Sequence, residues 1–222
     1  MIKNIIFDLD GTLADSISDI YNCVNASLKH FNLKTISIED THKFVGNGAK
    51  LLIKRAVNKY NHDEKIEEEV YKYYIKYYEE HCVDSTKAYN GVYETLELLY
   101  NHNINMFVIS NKPNKMAIKT VEKLNILKYF KAVIGDGIYA YRKPDPNIWY
   151  SLKKEYNLIE DETVMIGDGI PDYEFACNSS IKCLLVLYGI TDKNILLELK
   201  NNYYLNSFNE IADYIINKKI LI

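Results

Sequence analysis

Apolar residues fall along this chain in two rhythms. Short, nearly continuous apolar runs occupy residues 4–8 (NIIFD), 105–109 (NMFVI), 132–135 (AVIG), 163–167 (TVMIG) and 182–187 (KCLLVL), with a weaker one at 203–205 (YYL). Their length is that of strands, and their lack of alternation is that of strands covered on both faces. Between them the apolar positions recur at helical spacing. Residues 114–125 bring Met116, Ile118, Val121 and Leu124 close to one stripe. Residues 146–156 start with Pro146 at a first helical position and Asp145 as its cap. Residues 92–101 and 208–217 are amphipathic in the same way. From residue 92 onward strand and helix alternate, which predicts a parallel sheet with helices on both sides.

Residues 15–88 break that alternation. They hold no good strand, but helical patterns at 17–31, 48–60 and 64–81. The last is heavily charged and carries Tyr71, Tyr74, Tyr77 and Tyr78, a stripe whose spacing fits packing better than a binding box. The stretch is long for a strand-to-strand connection. The expectation is an α/β protein: a Rossmann-like core from residues 1–14 and 89–222, and an all-helical cap from residues 15–88. Hinges are expected near Ala14–Ser16 and Lys87–Gly91.

Composition narrows the function classes. The 222 residues, 48% of them hydrophobic, suffice for one substantial core plus a smaller satellite. A net charge of -3 does not provide the basic face that a nucleic acid requires. There is no long uncharged apolar run to span a membrane, and the N-terminus runs into a strand rather than a signal peptide. Cys23, Cys82, Cys177 and Cys183 form no CxxC pair and read as reduced thiols of a cytoplasmic protein. The five histidines are scattered, which argues against a Cys/His metal site. Against a lysine-rich background there are only two arginines, Arg55 and Arg142.

Candidate chemistry gathers at the strand ends. In NIIFDLDGTLADS, Asp8 and Asp10 stand one residue apart at the end of the first strand. Residues i and i+2 share a side of an extended chain, and the crevice at the carboxyl ends of a parallel sheet is where ligands bind. Gly11 permits a sharp turn; its amide and that of Leu9 can approach an anion, and Thr12 adds a hydroxyl. The glycine is at the wrong position for a calcium loop. Ser110 and Asn111 follow the second strand, where they either hold an anion or, like Asn114, cap a helix. Lys143 sits in the rigid RKPDP turn after the third strand. Asp168 and Asp172 follow the fourth, in VMIGDGIPD. Acids so close are destabilised unless a cation sits among them, and hard oxygen ligands with room for water and phosphate suit Mg²⁺.

DLDGTLADS, Ser110-Asn111, Lys143 in KPDP and GDGIPD together resemble the four motifs of the haloacid dehalogenase superfamily, in order and in placement. The helical insertion resembles that superfamily's cap. FVGNGAKLLIKRA (residues 44–56) and AYNGVYETL (residues 88–96) are similar to its phosphoglycolate phosphatase subgroup. The resemblance implies that Asp8 is a nucleophile forming an aspartyl-phosphate. Asp10 would be general acid, then base, and must carry a proton at the first step. Leu9, Gly11, Ser110, Asn111 and Lys143 would bind the phosphoryl group, with Lys143 also neutralising the nucleophile. Mg²⁺ would be held by Asp8, Asp168 and the backbone carbonyl of Asp10, with Asp172 supporting. The implied activity is a Mg²⁺-dependent phosphatase of small phosphomonoesters, 2-phosphoglycolate first among them. The alternative is a phosphosugar mutase resembling β-phosphoglucomutase, or a pyrophosphatase or nucleotidase of the same superfamily. The expected partner is a small molecule, with no nucleic acid and no membrane, acting on a monomer or homodimer. Two departures stand out: Gly169 where relatives often carry Ser or Thr, and Ser180 near a helix end that relatives usually close with Gly.

Specificity is assigned to the cap. Gly46, Asn47 and Gly48 open the helix at 48–60 and would turn backbone amides toward an anion. Arg55 is expected to face the crevice and clamp a substrate carboxylate, or to pair with a cap acid. Arg142 either orients the neighbours of Lys143 or belongs to the surface.

Overall fold

The computed structural model describes residues 1–60, 64–201 and 203–216. The first part of the chain forms β1 (Asn4–Phe7), β2 (Ala14–Asp15), α1 (Ile17–His30), α2 (Ile38–Phe44), α3 (Ala49–Asn58), α4 (Glu64–His81) and β3 (Lys87–Ala88). Then come α5 (Val92–Asn101), β4 (Asn105–Pro113), α6 (Asn114–Lys123), β5 (Phe130–Asp136) and α7 (Asn147–Tyr156). The chain continues through β6 (Thr163–Gly167), α8 (Ile170–Asn178), β7 (Lys182–Val186), α9 (Lys193–Leu197), β8 (Tyr204–Leu205) and α10 (Glu210–Ile216). The last residue of the helix expected at 208–217 lies outside the described residues.

Six strands form one sheet in the order β5-β4-β1-β6-β7-β8, every neighbouring pair parallel. Successive side chains of a strand point to opposite faces. Ile5, Phe7, Met106, Val108, Val164 and Ile166 therefore pack on one side with α5, α6 and α10. Ile6, Phe107, Ile109, Met165 and Leu185 pack on the other with α7 and α8. Both faces are covered, which is why the strands are apolar without alternation. β1 lies between β4 and β6, so the residues just past its end meet those of both neighbours.

The helix ends use asparagine where many proteins use glycine. Asn32, Asn103, Asn125 and Asn157 follow α1, α5, α6 and α7 with φ of 53–62°. Asparagine tolerates the left-handed conformation that ends a helix. Ser180, after α8, takes φ 54° at the position where a glycine was missing from the motif.

Helices α1–α4 form a helical cap on the sheet. Ile20, Leu28, Leu52, Ile53, Val57 and Val70 are among the residues of its own apolar cluster, which Met116 of α6 joins from below. Its two connections to the sheet run side by side as an antiparallel ribbon, Ala14 opposite Ala88 and Asp15 opposite Lys87. The expected hinge segments thus start in paired, two-residue strands rather than loose loops. Asp19 ties them to the cap: its buried carboxylate accepts from the Ser85 and Thr86 amides and the Thr86 hydroxyl at 2.6–3.0 Å. Asp19→Ala strands these donors and lowers stability by about 3 kcal/mol, a loss readable as a shift in denaturant midpoint at unchanged m-value.

Several elements depart from the expectations, the two-residue strands β2 and β3 among them. α2 was not anticipated, although Ser37 and Asp40 form a capping box at its start. α9 was not anticipated either. β4 runs on to Pro113 through a register shift after Ile109, so Ser110 and Asn111 lie within the strand and not after it.

Candidate active site

Three carboxylates meet where β1 and β6 end. Asp8, Asp168 and Asp172 bring one oxygen each to within 4.8 Å of one another. Asp8 follows β1, Asp168 follows β6, and Asp172 lies in the first turn of α8. Glycines make this approach possible. A Cβ on Gly11, whose φ is +89°, would stand 2.2 Å from Asp168 Oδ2. On Gly167 it would stand 2.3 Å from Asp172 Cγ, and on Gly189 2.3 Å from Asp168 Cβ.

Each acid is held in place. Lys143, its side chain 2% exposed, donates from Nζ to Asp8 Oδ1 at 2.7 Å and Asp172 Oδ1 at 2.6 Å. Asp172 Oδ2 accepts from the Gly169 amide at 3.0 Å. Asp168 accepts from the Thr12 hydroxyl at 3.0 Å and from the Ile190 amide at 2.8 Å. Gly169, where a hydroxyl side chain was missing, thus serves through its backbone.

Three carboxylates, Asp168 and Asp172 buried and Asp8 half-buried, and one ammonium leave a formal charge of -2. Burial drives the Asp8 carboxyl up from 3.8 to about 7; Lys143 opposes the rise, and Asp172 and Asp10 add to it. Burial, then Asp8 and Asp172, push Asp168 well up. Burial disfavours the charge on Lys143, but Asp172 and Asp8 outweigh it and raise its pKa. An excess of two negative charges on hard oxygen atoms, all desolvated, fits a divalent cation. The carboxylate of Asp10 is not in this cluster. Its Oδ1 accepts from the Ser16 hydroxyl at 2.6 Å and from Lys112 Nζ at 2.8 Å.

Several expectations are corrected by the contacts. The Gly11 amide donates to Ala14 O at 2.9 Å, which leaves Leu9 as the loop amide for an anion. Ser110 and Asn114 do not cap α6, which starts after Pro113 without a side-chain cap. Asn114 instead accepts from the Gly135 amide, and the Ser110 hydroxyl accepts from the Lys112 amide. The Asn111 amide, expected on a phosphoryl group, donates to Gly46 O and Lys143 O, both at 3.0 Å; its Oδ1 is buried without a partner. It ties the cap to the turn that carries Lys143. Arg55 lines a cleft of about 790 Å³ between the cap and the core, with Gly46, Asn47, Gly169 and Ile190, and not the cavity above Asp8; no ion pair with a cap acid is found among the described residues, and its Nη1 donates to Phe44 O at 2.8 Å and Asn47 Oδ1 at 3.0 Å. It braces the Gly46–Gly48 loop, because the helix turns its side chain back along the loop that precedes it. Asn47 is consumed by that brace, while Gly46 and Gly48 line the cavity above Asp8. Arg142 is exposed and extends over the cap, its Nη1 near Gly48.

That cavity, about 60 Å³, is lined by Asp8, Asp10, Ser110, Asn111 and Lys112 from the sheet side and by Ile20, Val45, Leu52, Tyr74 and Tyr78 from the cap. A second space of about 30 Å³ touches Asp8, Lys143, Asp168 and Asp172. Lys112 was not singled out in the sequence, hidden among many lysines. Its parity with Ser110 on one strand was the available signal. Tyr78, taken for packing, stacks on Tyr74 at 5.1 Å but also accepts from Lys112 Nζ at 2.5 Å.

Sheet, cap and acid cluster define a capped α/β protein whose buried acids could hold a cation at the strand ends. The model of the haloacid dehalogenase-like hydrolase family matches residues 5–186. The chain is 30% identical over 219 residues to a phosphoglycolate phosphatase of Chromobacterium violaceum, covering 97% of each. It is 29% identical to one of Agrobacterium fabrum, covering 97% of this chain and 93% of the relative. A solved structure described as a predicted phosphoglycolate phosphatase from Haemophilus somnus superposes with a TM-score of 0.89 at 28% identity, over 96% of this chain and 97% of that one. The chain belongs to the haloacid dehalogenase-like hydrolase family, and as an enzyme it is a phosphoric monoester hydrolase.

Proposed function

We propose that this enzyme is a Mg²⁺-dependent phosphatase that hydrolyses small phosphomonoesters in two steps through an aspartyl-phosphate on Asp8, with 2-phosphoglycolate as its substrate. The observation that carries the reading is the joint placement of Asp8 and Asp10. One sits in an acid cluster beside Lys143, the other beside a small cavity of about 60 Å³ under the cap. The names of the relatives at about 30% identity support the choice of ester.

Lys143 binds Asp8 Oδ1, so Oδ2 is the attacking atom. It forms a bond to phosphorus as the ester P–O bond breaks in line. Ser16 and Lys112 both bind Asp10 Oδ1, so Oδ2 delivers the proton to the departing oxygen. Water then attacks the phosphorus, Asp10 Oδ2 takes its proton, and the Asp8–phosphorus bond breaks to release inorganic phosphate. Ser110 and the Leu9 amide orient the phosphoryl oxygens. Asp8, Asp168 and the Asp10 carbonyl would hold Mg²⁺, with Asp172 behind them; once bound, the ion neutralises charge on the phosphoryl group. Residues 15–88 act as a cap over a core of residues 1–14 and 89–222, swinging on the β2–β3 ribbon to exclude water from the first step and admit it for the second. The enzyme acts in the cytoplasm, where its four free thiols stay reduced.

A phosphate-release screen over short phosphomonoesters tests this directly. Turnover of 2-phosphoglycolate that requires Mg²⁺ and stops with chelator is expected. An isomerised phosphosugar without released phosphate would sink it in favour of a mutase.

Metal binding should depend on pH. The folded, metal-free protein keeps the Asp8 proton up to about pH 7, whereas the ordinary value is 3.8. This group therefore favours the metal-free fold most below pH 4, and that contribution is lost as the pH rises toward 7. A bound cation must displace the proton. Titration calorimetry should show Mg²⁺ affinity rising up to about tenfold per pH unit between 5 and 7, then levelling.

A further inference from the structure

We infer that Lys112 is the specificity-determining residue of this site and that it reads a carboxylate one carbon from the ester oxygen, selecting phosphate esters of short 2-hydroxy acids. The inference rests on the phosphatase reading above and adds a residue and a chemical rule to it. Lys112 is on the core, in the extended end of β4, with its side chain 1% exposed. An ammonium has three N–H donors. One goes to Asp10 Oδ1 at 2.8 Å and one to the Tyr78 hydroxyl at 2.5 Å. The Tyr78 ring also lies 4.9 Å from Nζ. The third donor is available to whatever enters the cavity of about 60 Å³ that Lys112 lines.

Among the described residues lining that cavity, Lys112 is the one cation, and most of the cap side is apolar: Ile20, Val45, Ala49 and Leu52. A neutral alkyl leaving group would satisfy those walls and leave a buried charged donor without an acceptor, which is costly. A leaving group with a carboxylate supplies the acceptor. Position follows from Asp10. The ester oxygen meets Asp10 at Oδ2, while the ammonium is bound to Oδ1 of the same carboxyl group. Anion and ester oxygen are therefore spaced by little more than one carboxyl group, which a single intervening carbon spans. The cavity is small, about 60 Å³. Arg55, the residue that the sequence favoured for carboxylate binding, does not line this cavity, where Lys112 is the cation beside Asp10.

Steady-state phosphate release from 2-phosphoglycolate and from ethyl phosphate, neutral in the leaving group and similar in size, separates the roles. Lys112→Met should lose about 10–100-fold in kcat/KM on 2-phosphoglycolate, the scale of one charge-assisted hydrogen bond. On ethyl phosphate, which bears only the cost of losing the Lys112 support of Asp10, the loss should be smaller by about tenfold or more. If Lys112→Met does not fold, as judged by circular dichroism, Lys112→Gln is held to the same comparison. Equal losses on both esters would mean that Lys112 serves Asp10 alone and would overturn the inference, as would no loss on either. A wild-type enzyme that hydrolyses neither ester would fell the phosphatase reading itself, a result distinct from both.

Discussion

Asp8→Asn gives a folded protein whose phosphate release falls by about 10⁴-fold or more, the scale seen when a covalent nucleophile is removed. The amide keeps the shape of the carboxyl group and its contact with Lys143, so the sheet end does not collapse. It lacks the anionic oxygen that bonds to phosphorus. The same change removes one charge from a cluster carrying a formal -2, in which burial already pushes Asp8 up to about 7. Without metal at pH 8, the variant should therefore melt higher than wild type. Loss of turnover with a raised melting temperature marks a group kept for chemistry at the expense of stability. A variant that keeps substantial activity would remove the nucleophile from the scheme.

Lys143→Met should act in the opposite sense on stability. Its ammonium is the charge within hydrogen-bond reach of both Asp8 and Asp172, at 2.7 and 2.6 Å. Removing one partner from a buried ion pair typically costs about 3–5 kcal/mol, because the remaining charges stay desolvated. A divalent ion supplies part of the missing charge, so the loss in melting temperature should shrink when Mg²⁺ is added. Turnover should not recover: about 10²–10³-fold is lost, as for other preorganised groups that stabilise transition-state charge. Melting curves with and without Mg²⁺, alongside phosphate release, check both halves. Equal destabilisation with and without the ion would show that Lys143 and the metal do not share one electrostatic site.

Much of the sheet was legible because continuous apolar runs and helical stripes are local patterns. The run at 163–167 and the helix at 92–101 stand in the structure with those bounds. β4 was cut short at Ile109 because Ser110, Asn111 and Lys112 are polar, and polarity reads as a loop. They remain extended because their side chains are buried against the site and not against water. α2 is short and weakly apolar, so only its capping box announced it.

The site divides along the same line. Asp8 and Asp168 could be named from sequence because each follows a strand and a parallel sheet brings strand ends together whatever the loops do; Asp172 comes with Asp168, four residues on in the first turn of α8. Arg55 drew attention and Lys112 did not because rarity along a chain is not position in space. Arg55 finds its partners 8 and 11 residues away, within the cap. Lys112 meets Asp10 across 102 residues and Tyr78 across 34. The sequence by itself determined the alternation, the cap insertion and the acids at the strand ends, since these follow from periodicity and adjacency. Only the tertiary structure decided which cation lines the cavity above Asp8, because burial and charge pairing are properties of the cap packed against the sheet and no stretch of chain carries them alone.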